Sequence, residues 1–176
     1  MSGKQLLERL EKRFGDLVTR VEPGAIDPWV EVQPSGLVEL CRYLRDAEDL
    51  RFNYCNSITI VDYLDLEAAP GETPAFPPHL EAVYHLSSIQ FKTTFVVKVM
   101  LPRWKDDVAG QLPELPSVSG VWSTADWHER EAYDLSGVKF TGHPDLQRIL
   151  CPDDWVGHPL RKDYEMPLEY HGIRGR

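Results

Sequence analysis

The sequence predicts an α+β fold, with helices on one face of an antiparallel sheet and an extended arm at the C-terminal end. Residues 80–89 and 95–101 alternate apolar and polar side chains with the period of a strand. Residues 4–14 and 37–44 place apolar side chains at helical spacing. From residue 138 onward, prolines and glycines recur too often for a long helix or a central strand. Because 42% of the 176 residues are hydrophobic, the chain can bury a packed core.

The first third of the chain is predicted to contain two helices and two strands. The first helix covers residues 4–14, with its leucines near one face. Short apolar runs at 18–21 and 29–32 predict strands, separated by a turn-prone Glu-Pro-Gly sequence. The second helix covers residues 37–44, and Ser35 is predicted to cap its N-terminus by accepting a backbone N–H.

Three strands and a third helix are predicted next. Residues 58–64 are rich in β-branched and aromatic side chains, and residues 66–79 hold four of the 14 prolines, which predicts an exposed loop. The strands at 80–89 and 95–101 are close enough to form an antiparallel hairpin. A helical stripe then covers residues 118–133. The order strand, helix, strand, strand, helix is that of the split βαβ unit in ferredoxin-like domains.

The composition excludes several classes of function. With 19 Lys and Arg against 28 Asp and Glu, the net charge of −9 argues against nucleic-acid binding and against polybasic adsorption to anionic lipid. The most apolar stretch, at 95–101, is too short for a membrane span, and residues 1–14 lack the apolar region of a signal peptide. Three widely spaced cysteines indicate reduced thiols in a cytosolic protein.

The charge divides the chain into two parts. Residues 139–176 hold six basic and six acidic residues, so the whole net charge of −9 belongs to residues 1–138. We therefore predict an α+β domain over residues 1–137 and a C-terminal segment over residues 138–176. This segment keeps many apolar residues, which a free disordered tail would not. It is expected to form an arm that lies on its own domain or on a partner.

The densest polar patch runs from His128 to Asp134. A zinc-protease helix would need a second histidine where this chain has Ala132, so that interpretation fails. Paired carboxylates of a hydrolase are conceivable here, but adjacent acids on a helix usually form a solvated face. Glu129 differs because it lies on the apolar stripe. It is expected to form an ion pair within the chain or to face a protein partner.

A Gly-His-Pro motif occurs at 142–144 and again at 157–159. Two histidines could bind a metal, but no further ligand has convincing spacing, so structural hydrogen bonds are the favoured role. Motifs for dinucleotides, phosphate loops, redox cysteine pairs and serine nucleophiles are missing, and three cysteines are too few for a usual iron–sulfur cluster. The residues by themselves predict no evident chemistry.

One long run of residues has a specific resemblance. Glu129-Arg130-Glu131-Ala132-Tyr133-Asp134, then Gly137 to Leu146 and Asp153 to Tyr164, resemble the C-subunit family of proton-pumping NADH:quinone oxidoreductase, the 30-kilodalton subunit of respiratory complex I. The resemblance covers roughly residues 30–168. This chain departs from the family's usual pattern at Ser136, where a bulky apolar residue is usual, and at Gln147, where a second basic residue precedes Arg148.

The resemblance implies a non-catalytic structural and assembly subunit of the peripheral arm. Such a subunit packs on the D subunit near the quinone site and along neighbouring peripheral-arm subunits, at the cytoplasmic face of the cell membrane. It holds no cofactor, since the flavin and iron–sulfur clusters are in partner subunits. It supports electron transfer from NADH to quinone coupled to proton translocation. A membrane-bound hydrogenase or a quinone reductase with another electron donor stays open as an alternative, and a stand-alone hydrolase is a remote one.

The resemblance also implies which residues carry the role; none is expected to be catalytic or to bind a cofactor or metal. Residues of the last helix would fix it to the C-terminal segment or to the D subunit: Glu129, Arg130, Glu131, Tyr133 and Asp134. Residues of the segment would hold its course through charge-assisted hydrogen bonds or anchor an interface: His143, Asp145, Arg148, Trp155, His158, Arg161, Lys162, Asp163 and Tyr164.

Overall fold

The computed structural model describes residues 2–64 and 77–174, which form three α-helices and nine strands. The helices are α1 (Gly3–Phe14), α2 (Leu37–Asp46) and α3 (Ala125–Ser136). The strands of the main sheet are β1 (Val18–Glu22), β2 (Trp29–Val32), β3 (Tyr54–Tyr63), β4 (His79–Ser88) and β5 (Thr93–Pro102). The short strands are β6 (Glu114–Pro116), β7 (Lys139–Thr141), β8 (Glu169–Tyr170) and β9 (Ile173–Arg174). Most of the predicted loop at 66–79 lies outside the described residues.

The five-stranded sheet has the order β1-β2-β5-β4-β3. The predicted hairpin is confirmed, with Ser88 of β4 opposite Thr93 of β5. The sheet is mixed rather than wholly antiparallel, because β2 runs parallel to β5, with Trp29 opposite Val96. The chain crosses through α2 from β2 to β3, and these two strands run in the same direction. Since β4 is antiparallel to both β3 and β5, β5 also has this direction and lies parallel to its neighbour β2. The α+β class is confirmed in this mixed form.

One hydrophobic core lies between the sheet and the helices. Every second residue of β4 and β5 points into it, and these side chains are Leu80, Ala82, Tyr84, Leu86, Phe95, Val97, Val99 and Leu101. The predicted helix faces are also buried, and they consist of Leu6, Leu7, Leu10, Phe14, Leu37, Leu40, Cys41 and Leu44. Each fully buried leucine contributes about 1.5–3 kcal/mol to the free energy of unfolding.

The ends of the first two helices differ in how they are capped. At α1, the Ser2 hydroxyl accepts from the Gln5 amide, and the Gln5 side chain accepts from the Ser2 amide. At α2, the predicted Ser35 cap is wrong. A single 3₁₀ turn over Pro34–Gly36 precedes this helix, so Ser35 lies inside the turn and no side chain caps the helix.

The third helix is shorter than predicted. Val118, Val121 and Trp122 are buried as the stripe indicated, but residues 118–122 form turns, with the amides of Val121 and Trp122 donating to the Val118 carbonyl. Ser119 and Gly120 are weak helix formers, which explains why the helix begins only at residue 125. Within the described ranges, no helix combines the length and apolarity that crossing a membrane requires.

Candidate functional site

The C-terminal segment packs against the last helix. Strand β7 pairs in parallel with β6, and Val138 and Phe140 join the main core. The chain then follows α3 from Asp126, beside His143, towards the end of the helix. The residues that the resemblance singled out are therefore brought together along this junction, where most of them contact other parts of the same chain.

Asp134 is the most heavily hydrogen-bonded carboxylate of the junction, and its side chain is fully buried. One of its oxygens accepts three backbone N–H groups, those of Ile149, Leu150 and Cys151, at 3.0, 2.7 and 2.9 Å. The Arg148 guanidinium donates to the other oxygen at 2.7 Å. Burial opposes ionisation of Asp134, but the amides and Arg148 outweigh it and lower its pKa below the usual value. Asp134 is therefore ionised, and its hydrogen bonds hold the C-terminal segment against α3.

His158 fits against the end of α3. Its Nδ1 lies 2.9 Å from the Asp134 carbonyl oxygen, so this nitrogen carries the proton and donates. Burial lowers the pKa of His158, which keeps the ring uncharged at neutral pH. The ring also lies against Gly137, where a Cβ atom would come within 2.5 Å of it. Gly137 has φ +68°, the left-handed conformation that ends the helix.

Arg161 holds the next part of the segment and is only 5% exposed. Its guanidinium donates to the carbonyl oxygens of Ser136, Arg103 and Gly137 at 2.9, 3.0 and 3.1 Å. It also stacks on the Trp104 ring, 3.9 Å from the ring centre. Burial lowers the pKa of Arg161 to about 10, so it stays charged at neutral pH. Its charge is satisfied by carbonyl dipoles rather than by a carboxylate.

The segment is tied to the end of β3 by a buried ion pair. Asp62 pairs with Arg103, and its second oxygen accepts the Lys162 backbone N–H at 2.9 Å. Arg103 also contacts the Asp163 carboxylate at 2.7 Å. Lys162 thus contributes its backbone to this contact, and its side chain is exposed.

The other predicted site residues of α3 differ from one another in burial and contacts. Glu129 is fully buried and contacts the Ser117 hydroxyl and the Val118 amide, and the basic group beside it is His143, whose Nε2 lies 3.9 Å from its carboxylate. Arg130 lies over the exposed Trp127 ring and donates to the segment's backbone at residue 147. Glu131 is exposed. These acids do not share one environment, which argues against a hydrolase pair.

The predicted anchors of the C-terminal segment also contact their own chain. Trp155 packs on the Tyr170 ring, with 4.9 Å between ring centres, and Tyr164 lies against Gly157. The indole N–H of Trp155 and the hydroxyl of Tyr164 are buried without a hydrogen-bond partner among the described residues. Tyr133 lies near His158, with their ring centres 6.4 Å apart.

The turn that opens the segment is organised by His143. Its ring accepts the Asp145 amide at 3.1 Å. The Asp145 carboxylate in turn accepts from the Gln147 side chain at 2.6 Å. In the described part of the chain, no group of three or more His, Cys, Asp and Glu side chains could hold a metal ion, and the three cysteines are free thiols.

The structure reveals a second set of residues that the motif did not indicate. Six apolar side chains of the C-terminal segment are 60–85% exposed, and we call them the apolar row: Leu150, Val156, Leu160, Met166, Leu168 and Ile173. Where exposed apolar side chains form one contiguous patch, the surface is often covered by another protein. The apolar content of the segment was the available signal, but only the fold shows which side chains point outward.

Comparison with known proteins assigns the chain to a family. The family described as the 30 Kd subunit of respiratory-chain NADH dehydrogenase matches residues 30–170. The chain belongs to this family. A relative from Moorella thermoacetica, named as the C subunit of NADH-quinone oxidoreductase, is 41% identical over 163 residues, which cover 93% of this chain and 95% of the relative. One of the same name from Roseiflexus is 40% identical and covers 96% and 87%.

Other members of the family are longer. The C subunit of NADH-quinone oxidoreductase from Salinispora arenicola is 41% identical over 169 residues, and this chain spans 62% of its length. Among solved structures, a chain of the membrane-bound sulfane sulfur reductase, an archaeal respiratory membrane complex, has the same fold, with a TM-score of 0.68 at 22% identity. The match covers 94% of this chain and 87% of that one.

Asp134→Asn should lower the free energy of unfolding at neutral pH by about 2–4 kcal/mol, because the amide cannot satisfy all the donors around it. Urea unfolding measures this change. The pKa of Asp134 is lowered in the native state, so its stabilisation is present above the unfolded value of about 3.9 and is lost as pH falls through the native pKa. Glu131→Gln, an exposed acid of the same helix, is the control, and an equal effect of both variants would contradict the role of Asp134.

Gly137→Ala should lower the free energy of unfolding by about 2–4 kcal/mol, since it adds backbone strain and a clash with His158. In a His158→Ala background only the strain remains, so the cost of the same change should fall to about 1–2 kcal/mol. Gly142→Ala is the matched control, because Gly142 also has positive φ but open space around it. If the cost of Gly137→Ala is the same in both backgrounds, the His158 contact is not what requires glycine.

Proposed function

We propose that the chain is a non-catalytic structural and assembly subunit of the peripheral arm of an NADH:quinone oxidoreductase. Membership of the family supports this role, as do relatives named as the C subunit of NADH-quinone oxidoreductase that this chain matches over most of their length. In this role the chain supports electron transfer from NADH to quinone, coupled to proton translocation, without holding a flavin or an iron–sulfur cluster itself. Those cofactors belong to its partner subunits.

The observation that carries the proposal is the apolar row. Asp134, Arg148 and Arg161 satisfy their charges within the chain, so they hold the C-terminal segment in place without a partner. The six side chains of the apolar row remain uncovered on the outside of that segment. A segment that is already folded loses little conformational entropy when it docks. More of the favourable free energy of burying apolar surface therefore contributes to the binding affinity.

We assign the apolar row to docking on the D subunit, near the quinone site, and along neighbouring peripheral-arm subunits. The matching surface of the partner is an apolar groove rather than an acidic or basic patch. Through these contacts the chain would sit peripherally at the cytoplasmic face of the cell membrane, held there by other subunits.

The finer description of the architecture belongs to the same proposal. We infer a ferredoxin-like domain over residues 1–137, supported by the insertion of β5 and β4 between β2 and β3 in the sheet. Residues 138–176 would then act as the docking arm. Val138 and Phe140, at the start of that arm, are anchored in the core of the domain.

The combined change Leu160→Asp and Leu168→Asp should abolish assembly while leaving the chain folded, because both side chains are largely exposed. Burying two charges in an apolar groove should lower the yield of assembled complex by roughly tenfold or more. The measurement is native co-purification on the tagged full-length chain, with each subunit identified by mass spectrometry.

Ile26→Asp serves as the control for that experiment, since Ile26 is an exposed apolar residue of the domain at residues 1–137 rather than of the C-terminal segment. It should co-purify the same subunits as the wild type, including those that carry flavin and the D subunit. Normal assembly of the double variant would contradict docking through the apolar row. Co-purification of the wild type without any flavin-containing subunit would contradict the NADH-linked function itself.

A further inference from the structure

A buried carboxyl group without a cationic partner lies at the junction of α3 and the C-terminal segment. Glu129 is fully buried, and its oxygens contact the Ser117 hydroxyl at 2.5 Å and the Val118 amide at 2.6 Å. In the described part of the chain, no lysine or arginine forms an ion pair with it. A carboxylate in this position would be costly, whereas a neutral carboxylic acid is easily accommodated.

The titratable groups around Glu129 do not supply the missing positive charge. They come from every element packed on it: Asp126 from α3, Tyr84 from β4, Cys41 from α2, Cys55 from β3, and His143 from the segment after β7. Four of them are acids or weak acids, and their negative forms would oppose ionisation of Glu129. Only His143 could become a cation.

The His143 ring lies beside two carboxyl groups, those of Asp126 and Glu129, with Nε2 3.3 Å from the nearer Asp126 carboxylate oxygen. Its Nδ1 accepts the Asp145 amide, so the proton must be on Nε2. This Nε2 lies 3.2 Å from the Asp126 carbonyl oxygen, to which it donates, and 3.9 Å from the nearer Glu129 oxygen. A second proton on Nδ1 would break the bond from Asp145. The turn at residues 143–145 is therefore linked through the His143 ring to the surroundings of Glu129.

Two serine hydroxyls connect this buried acid to the surface. The Ser117 oxygen lies 2.5 Å from Glu129 and 2.7 Å from the hydroxyl of Ser119, which is half-buried. The Ser119 amide also donates to the Ser117 oxygen, at 3.1 Å, and holds it in place. Both distances between the oxygens are short enough for proton transfer along the chain of hydrogen bonds.

We propose that Glu129, Ser117 and Ser119 form a proton-exchange relay, through which the protonation of a buried carboxyl group controls how firmly α3 holds the start of the C-terminal segment. In the acid form, Glu129 donates to Ser117 and Ser117 donates to Ser119. When Glu129 ionises, its proton passes to Ser117, the Ser117 proton passes to Ser119, and the Ser119 proton passes to a water molecule. Both serines stay neutral, and their hydroxyls then donate in the direction of Glu129.

Ionisation of Glu129 has a defined consequence for the segment. Burial raises the pKa of Glu129 to about 7 and outweighs the hydrogen bonds that Ser117 and Val118 donate to its ionised form. Because the native pKa is higher than the unfolded value, this group favours the folded junction at low pH, and the advantage is lost as pH rises through about 7. The new anion would lie 3.9 Å from Nε2 of the His143 ring, whose Nδ1 accepts the Asp145 amide, so the charge of Glu129 acts directly on that contact.

The test is an NMR titration of the isolated full-length chain between about pH 5 and pH 9. The carboxyl carbon of Glu129 should titrate with a midpoint near 7, and the Asp145 amide should shift with the same midpoint. The exposed Glu131 of the same helix is the internal control for a carboxyl group in contact with solvent. A Glu129 carboxyl that titrates together with Glu131, or an Asp145 amide that does not follow Glu129, would overturn the proposal.

Variants then distinguish the effect of the Glu129 carboxyl group from the role of the serine hydroxyls in proton transfer. Glu129→Gln should abolish the pH-dependent NMR shift of the Asp145 amide. If that variant does not fold, the titration of the wild type alone tests whether Glu129 controls this amide. Ser119→Ala should leave the midpoint of Glu129 in place but slow its proton exchange by roughly tenfold or more, which gives separate signals for the two forms. Ser123→Ala, at an exposed serine nearby, should behave as the wild type. Equal exchange rates in both serine variants would exclude the relay.

Discussion

The Asp134 carboxylate is the contact on which the rest of the C-terminal segment depends. It collects three consecutive backbone amides and the Arg148 guanidinium at a fully buried position, so the segment cannot leave α3 without exposing an anion and four donors to new partners. Charge-assisted hydrogen bonds of this kind are about twice as strong as neutral ones. The contacts of His158 and Arg161 follow further along the chain and need the turn that Asp134 stabilises.

Residues that anchor the C-terminal segment and residues that we assign to partner binding alternate within the same part of the sequence. The charged and imidazole side chains act within the chain and give the segment one conformation. The side chains of the apolar row remain largely exposed, and we propose that a partner covers them. Binding through a segment that is already ordered avoids the entropy cost that a disordered tail pays on docking. Loss of an internal charge and loss of an outer leucine should therefore both prevent assembly, but only the first should also unfold the junction.

Local patterns were sufficient to predict the helix faces and the alternation of β4 and β5, since both depend on residues a few positions apart. They could not predict the parallel pairing of β2 with β5, which follows from the path of the whole chain. The same limit applies to the site. The amides that bind Asp134 are 15 to 17 residues away, and Glu129 is satisfied by Ser117 and Val118, which lie before its helix. The motif indicated residues that lie along the junction but not the groups that they contact.

Hydrogen exchange of the isolated full-length chain tests most directly whether the segment is held by its own contacts. The amides of Ile149, Leu150 and Cys151 donate to Asp134, and the Leu160 amide donates to the Leu135 carbonyl oxygen. In the absence of any partner, these amides should exchange at least about a hundredfold more slowly than in an unstructured peptide. Exchange at the unstructured rate, with protection only after partner subunits are added, would contradict internal anchoring of the segment.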